Sequence, residues 1–138
     1  MLHPQLEKDC LIVGKFGLCI LLLMRDANYP WFILVPDRDD VSEVYQLSEE
    51  DQMQLCNESS RLAKTLAAGF NADKMNIAAL GNVVPQLHIH HVVRYQTDAA
   101  WPAPVWGKVP PKAYSDDEIQ SLLEKLKQWF QSDFSFYL

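Results

Sequence analysis

The chain has 138 residues, 49% hydrophobic and 22% charged, with 18 acidic against 12 basic side chains and a formal charge of −6. That length builds one core and falls short of two ordinary domains, so a single domain over residues 1–138 is expected. The acidic balance argues against a nucleic-acid partner, because backbone binding needs a basic surface to displace counterions. The apolar run 18–24 is far shorter than the roughly 20 residues of a membrane helix, so no membrane partner is expected. The first ten residues, MLHPQLEKDC, hold no apolar stretch of signal-peptide type, and a cytoplasmic location is expected. Cys10, Cys19 and Cys56 are odd in number and lack CxxC spacing, which fits neither a disulfide framework nor a zinc knuckle.

In chain order, residues 10–13 and 18–24 read as two strands joined across Gly14-Lys15-Phe16-Gly17, where glycine permits a reversal. Turn chemistry follows from Arg25 to Pro30, and residues 31–35 (WFILV) read as a third strand stopped by Pro36. Ser48 followed by Asp51 marks a helix start, with Glu49 and Glu50 favourably placed against the helix dipole. Leu55, Leu62, Leu66 and Phe70 recur at helical spacing behind it, giving an amphipathic helix that ends near Gly69. Residues 75–80 and 86–95 are the next strands, separated by Gly81-Asn82 and the breaker Pro85.

Residues 98–111 are rich in proline and aromatic side chains, and read as an ordered loop over the sheet with Trp101 and Trp106 as packing anchors. Ser115 and Glu118 form a capping-box pattern ahead of Ile119, Leu122, Leu123, Leu126, Trp129 and Phe130, so a closing helix is expected over about 115–130. The order predicts an α+β domain: an antiparallel five-stranded meander sheet, a long central helix and a C-terminal helix. Neither GxGxxG nor a P-loop sequence occurs.

Three of the four histidines lie in the strand QLHIHHVVRY, residues 86–95. Alternation places Gln86, His88, His90, Val92 and Arg94 on one face, and Leu87, Ile89, His91, Val93 and Tyr95 on the other. One face is therefore polar and able to do chemistry, since imidazole serves as nucleophile, acid, base or metal ligand near neutral pH. His88 and His90 could face one ion, but zinc wants three or four protein ligands and no local third is offered. No metal and no cofactor are expected.

The segment resembles the signature of the histidine triad (HIT) family, His-φ-His-φ-His-φ-φ with φ hydrophobic. The match is His88-Ile89-His90, followed by His91-Val92-Val93 where the family gives φ-His-φ. PWFILVP at 30–36 and the long helix after it are similar to the family's strand and helix, so the resemblance spans about residues 18–95. It implies a HIT-like fold and a hydrolase or nucleotidyltransferase acting at the α-phosphate of nucleotide conjugates, either phosphoramidates or dinucleoside polyphosphates. In the family the middle histidine attacks phosphorus and forms a nucleotidyl-histidine intermediate, its other ring nitrogen held by a backbone carbonyl of the same strand.

By this alignment His90 is the attacking residue, His88 its support, and Val92 an unreactive third position. His91 faces away on a regular strand. Gln86 and Arg94 share the face of His90 and are candidates to hold phosphate oxygens. Asn76 and Asn82 are further candidate polar contacts from neighbouring segments. Trp31 stands where many family members carry another histidine, and either lines an apolar base-binding wall or packs in the core. The implied partner is a small nucleotide substrate, and the implied assembly a homodimer. The second reading, drawn from Val92, is a nucleotide-binding regulatory module with little or no catalysis.

Overall fold

The structure is a computed structural model and describes residues 1–137. A short helix α1 (Pro4–Asp9) leads into the hairpin β1 (Cys10–Lys15) and β2 (Cys19–Met24), then β3 (Trp31–Pro36). The long helix α2 (Glu49–Phe70) follows a single 3-10 turn, and β4 (Lys74–Ala78), β5 (Ile89–Arg94), α3 (Asp116–Trp129) and β6 (Ser135–Phe136) complete the chain. The sheet is antiparallel with six strands in the order β4-β5-β3-β2-β1-β6.

This differs from a five-stranded meander in two ways. β5 inserts between β3 and β4, which pair its two backbone edges, while the cores above and below bury its two faces. The chain end adds a two-residue strand to β1. α1 was not expected; Pro4 opens it, and the His3 ring accepts the N–H of Gln5 as its cap. Strand pairing in β5 begins at Ile89 rather than Gln86, because the backbone of Leu87 is bonded to Val41 in the β3–α2 connection.

Each face of the sheet has its own core. On one, Leu21, Leu23, Phe32, Leu34, Ile89 and Val93 pack under Leu55, Leu62 and Leu66 of α2 and Leu122, Leu123 and Leu126 of α3. On the other, Leu22, Trp31, Ile33, Val35 and Val92 are covered by Leu2 and Leu6 around α1 and by Ala100 and Val105 of the β5–α3 loop. Each leucine so buried contributes about 1.5–3 kcal/mol.

The helices form where their caps allow. Ser48 Oγ accepts the N–H of Asp51 at 3.1 Å, acidic residues fill the first turn, and Asn71 closes α2 in the left-handed conformation (φ 52°). The α2 stripe carries one residue that a hydrophobic pattern misses: Glu58 is buried and accepts the N–H groups of Leu18 and Cys19, each at 2.9 Å. It satisfies the backbone where β2 begins and fixes α2 against the hairpin. Among the described residues no helix is long and apolar enough to cross a membrane.

Glu58→Ala leaves two buried donors unsatisfied and should cost roughly 2–4 kcal/mol, measured as a shift of the urea unfolding midpoint at constant slope.

Candidate active site

The polar residues of β5 lie in the interior. Ile89 and Val93 face the α2 and α3 core and Val92 the opposite one, so His90, Val92 and Arg94 look towards α1 and the β5–α3 loop. His88 sits just before the strand, 8% exposed, and His90 is 4% exposed. Their rings are 5.0 Å apart and nearly perpendicular. Ala78 of β4 is paired with His90, so a small side chain stands beside it.

Hydrogen bonds assign the tautomers. His88 Nδ1 is 2.7 Å from the carbonyl oxygen of Gln86; a carbonyl only accepts, so Nδ1 carries a proton, and in the neutral tautomer this selects the lone pair lies on Nε2. His90 Nδ1 is 3.0 Å from Trp31 Nε1, and an indole N–H only donates. The neutral His90 ring therefore carries its proton at Nε2. The two tautomers are therefore opposite, one with N–H at Nδ1 and the other with N–H at Nε2. Burial, reinforced by His88 and His91, pushes His90 down to about 3, so it stays neutral.

In this geometry the two rings offer different groups. A nitrogen that accepts from Trp31 leaves His90 with N–H, not a lone pair, at its free end. Trp31 itself is 5% exposed and acts on His90 through its indole N–H, rather than only as an apolar wall. The ring of Trp106, from the β5–α3 loop, lies 5.0 Å from His90 and 5.6 Å from Trp31.

His91 lies on the opposite face, fully buried. Its Nδ1–H donates to the Ile89 carbonyl at 3.0 Å, and its Nε2 accepts from Ser59 Oγ of α2 at 2.7 Å. Burial lowers it to about 4 against the opposing pull of the Ile89 bond.

Arg94 shares the His90 face but does not reach the site. Its guanidinium donates twice to Asp98, at 2.8 and 3.1 Å, once to Asn76 Oδ1 at 2.7 Å, and once to the Ala103 carbonyl at 2.8 Å. At 1% exposure, a cation must be paired where it lies, and Arg94 holds the β5–α3 loop rather than phosphate. Burial would raise the Asp98 carboxyl, but Arg94 and the N–H groups of Tyr95, Ala100 and Trp101 outweigh it and bring it down to about 2. Asn76 Oδ1 is engaged in the same network.

The Gln86 side chain is likewise committed: it accepts the N–H of His3 at 2.7 Å and donates to the Met1 carbonyl at 3.1 Å. It fastens the N-terminal segment beside the site. Asn82 is exposed in the β4–β5 connection. A groove of about 660 Å³, lined by Met1, His3, Arg38, Asp40 and Gln86 among others, opens at this end. A cavity of about 610 Å³ between α2 and α3 lies on the other face of the sheet. Among the described residues no three His, Cys, Asp or Glu side chains are placed to hold a metal ion.

Sequence reasoning missed Asp98, Ser59 and Trp106. Asp98 and Ser59 are joined to the strand by folding of a loop and a helix whose patterns announce no such contact, and Trp106 was read only as a packing anchor.

An α+β domain whose antiparallel sheet carries two imidazoles with different hydrogen-bond partners at one face is a scaffold for histidine chemistry. The model of the HIT domain matches residues 5–97, and the chain belongs to the histidine triad family, one of nucleotide hydrolases and transferases. Solved histidine triad proteins are similar over nearly the whole length. One from Bradyrhizobium japonicum is 44% identical, with 95% of this chain and 98% of that one covered at a TM-score of 0.93. One from Marinobacter aquaeolei is 48% identical, with 94% and 98% covered and a TM-score of 0.90. One from Sinorhizobium meliloti is 38% identical, with 94% and 96% covered and a TM-score of 0.91. Among curated proteins no significant match is found.

His90 and His91 stay neutral in the folded protein down to about 3 and about 4, whereas an ordinary imidazole takes up a proton near 6.5. Between these values the unfolded chain binds more protons, so the stability involved is complete above about pH 6.5 and is lost as pH falls towards 4. Denaturant midpoints recorded from pH 7.5 to pH 4.5 should therefore fall; a flat profile would mean that the buried imidazoles are charged in the native state.

Proposed function

We propose that the protein is a hydrolase or nucleotidyltransferase acting at the α-phosphate of nucleotide conjugates, with His88 as the attacking residue. The observation that carries this is the 2.7 Å bond from His88 Nδ1–H to the Gln86 carbonyl. It orients the ring and leaves the Nε2 pair free, the state a neutral imidazole needs to attack phosphorus. The family signature then runs Gln86-Leu87-His88-Ile89-His90, with His88 in the middle and His90 in third place. The departure from the signature moves to Gln86, and Val92 falls outside the triad. The reading as a binding module drew on Val92 and loses that support.

In the first step the His88 Nε2 pair forms a P–N bond as the bond from phosphorus to the leaving group breaks. His90 Nε2–H is a preorganised donor beside it, suited to stabilise charge on the phosphate oxygens. In the second step water or another acceptor attacks phosphorus, and the P–N pair returns to Nε2. Trp31 and Trp106 border His90, and the groove lined by Gln86, two residues before His88, is the room proposed for the rest of a substrate. A free sheet edge supports the expected homodimer: β4 is outermost, and Ile77, Leu80 and Val83 nearby are 49%, 44% and 86% exposed.

His88→Ala should lower turnover by about three orders of magnitude or more, and His90→Ala by about 10²–10³ through loss of one donor. Intact-mass analysis after a brief reaction should show a nucleotide adduct, and peptide fragmentation should place it on His88. An adduct on His90, or full turnover in His88→Ala, would sink the assignment. Light scattering should give the mass of two chains, reduced to one by Ile77→Lys; a monomeric wild type would dismiss the edge pairing.

A further inference from the structure

We propose that this site is built for nucleotide conjugates whose leaving group departs as an anion, namely nucleotidyl anhydrides with a phosphate or carboxylate beyond the scissile bond. Trp31 is the positioning residue that sets this preference, by holding His90 in a form that donates a hydrogen bond but cannot transfer its proton. The inference rests on the assignment of His88 above.

Phosphoramidates and anhydrides make different demands. An amine leaves phosphorus only if its nitrogen gains a proton as the P–N bond breaks, whereas a phosphate or carboxylate oxygen takes the bonding pair and departs unaided. His90 lies beside His88, the rings 5.0 Å apart, and in its neutral form carries its proton at Nε2. Its other nitrogen is filled by the Trp31 indole N–H at 3.0 Å, and neither ring is more than 5% exposed. Protonation at Nδ1 would set two N–H groups against each other without an acceptor, so the imidazolium is excluded by geometry. Loss of the Nε2 proton from the neutral ring would leave an imidazolate. The groups around them are committed elsewhere: Arg94 and Asp98 to each other, and His91 to Ser59 across the sheet.

For an anhydride the balance closes without a general acid. The His88 Nε2 pair forms the P–N bond while the P–O bond breaks and its pair leaves on oxygen as phosphate or carboxylate. Water then attacks phosphorus and releases a proton to solvent, and the P–N pair returns to Nε2. Conjugate and water yield a nucleoside monophosphate, the leaving anion and a proton. For an alkyl phosphoramidate the same first step would expel an amide anion.

The test compares kcat/KM of the full chain for diadenosine polyphosphate and acyl adenylate with adenosine 5′-phosphoramidates of alkylamines. Anhydrides should be favoured by at least about a hundredfold, the lower range of what general acid catalysis is worth. Trp31→Phe frees His90 Nδ1 and should raise the ratio of phosphoramidate to anhydride turnover by about tenfold or more. Nitrogen-15 spectra of the wild type should show the His90 proton on Nε2, which decides the matter if Trp31→Phe does not fold. Equal turnover of both substrate types with an adduct on His88, or a His90 proton on Nδ1, overturns this inference alone. No adduct and no turnover with any conjugate overturns the His88 assignment and this inference with it.

Discussion

The constraint on which the site depends is the burial of β5 on both faces. A strand enclosed between β3 and β4, with a core above and below, has no water to satisfy its polar side chains. Each of His90, His91 and Arg94 must find a partner in the protein, as must His88 at the strand's mouth, and the partner's chemistry decides what each can do. A carbonyl fixes His88 as a lone-pair donor at Nε2, an indole fixes His90 as a proton-bearing neighbour, and a serine absorbs His91. Side chains of the same type in four consecutive residues thereby acquire three different roles.

The rest of the fold holds that arrangement in place. Arg94 and Asp98 form a buried pair that ties the β5–α3 loop to the strand end, and the loop brings Trp106 over His90. Such a pair is weak evidence for net stability, because desolvation offsets much of the attraction, but losing either partner would strand a charge in the interior. Gln86 performs a related task at the other end, where its amide fastens the N-terminal segment and its carbonyl orients His88. On the far face Glu58 ties α2 to the hairpin.

Much of the architecture is legible from local pattern. The α2 and α3 stripes, their serine caps and the alternation along β5 follow from periodicity and capping chemistry that hold whatever the tertiary context. The sixth strand and α1 are not legible: Ser135 and Phe136 pair only because folding brings them to the β1 edge, and α1 is too short to show a period. The triad register is ambiguous for a sharper reason. A pattern with period two is unchanged by a shift of two residues, so Gln86-His88-His90 and His88-His90-Val92 satisfy the same alternation. The proposed choice between them draws on hydrogen bonds outside the pattern.

Composition and periodicity determined that this acidic chain has an α+β fold with imidazoles on one face of a strand, because side-chain alternation and helical spacing are properties of short segments. Tertiary structure decided which ring nitrogen of each imidazole is engaged, and that Arg94 serves the loop. The deciding partners are Trp31, 59 positions from His90, Ser59, 32 positions from His91, and Asn76, 18 positions from Arg94. Contacts at such separations arise only when strands and helices pack, and in a buried site they settle protonation as well as position.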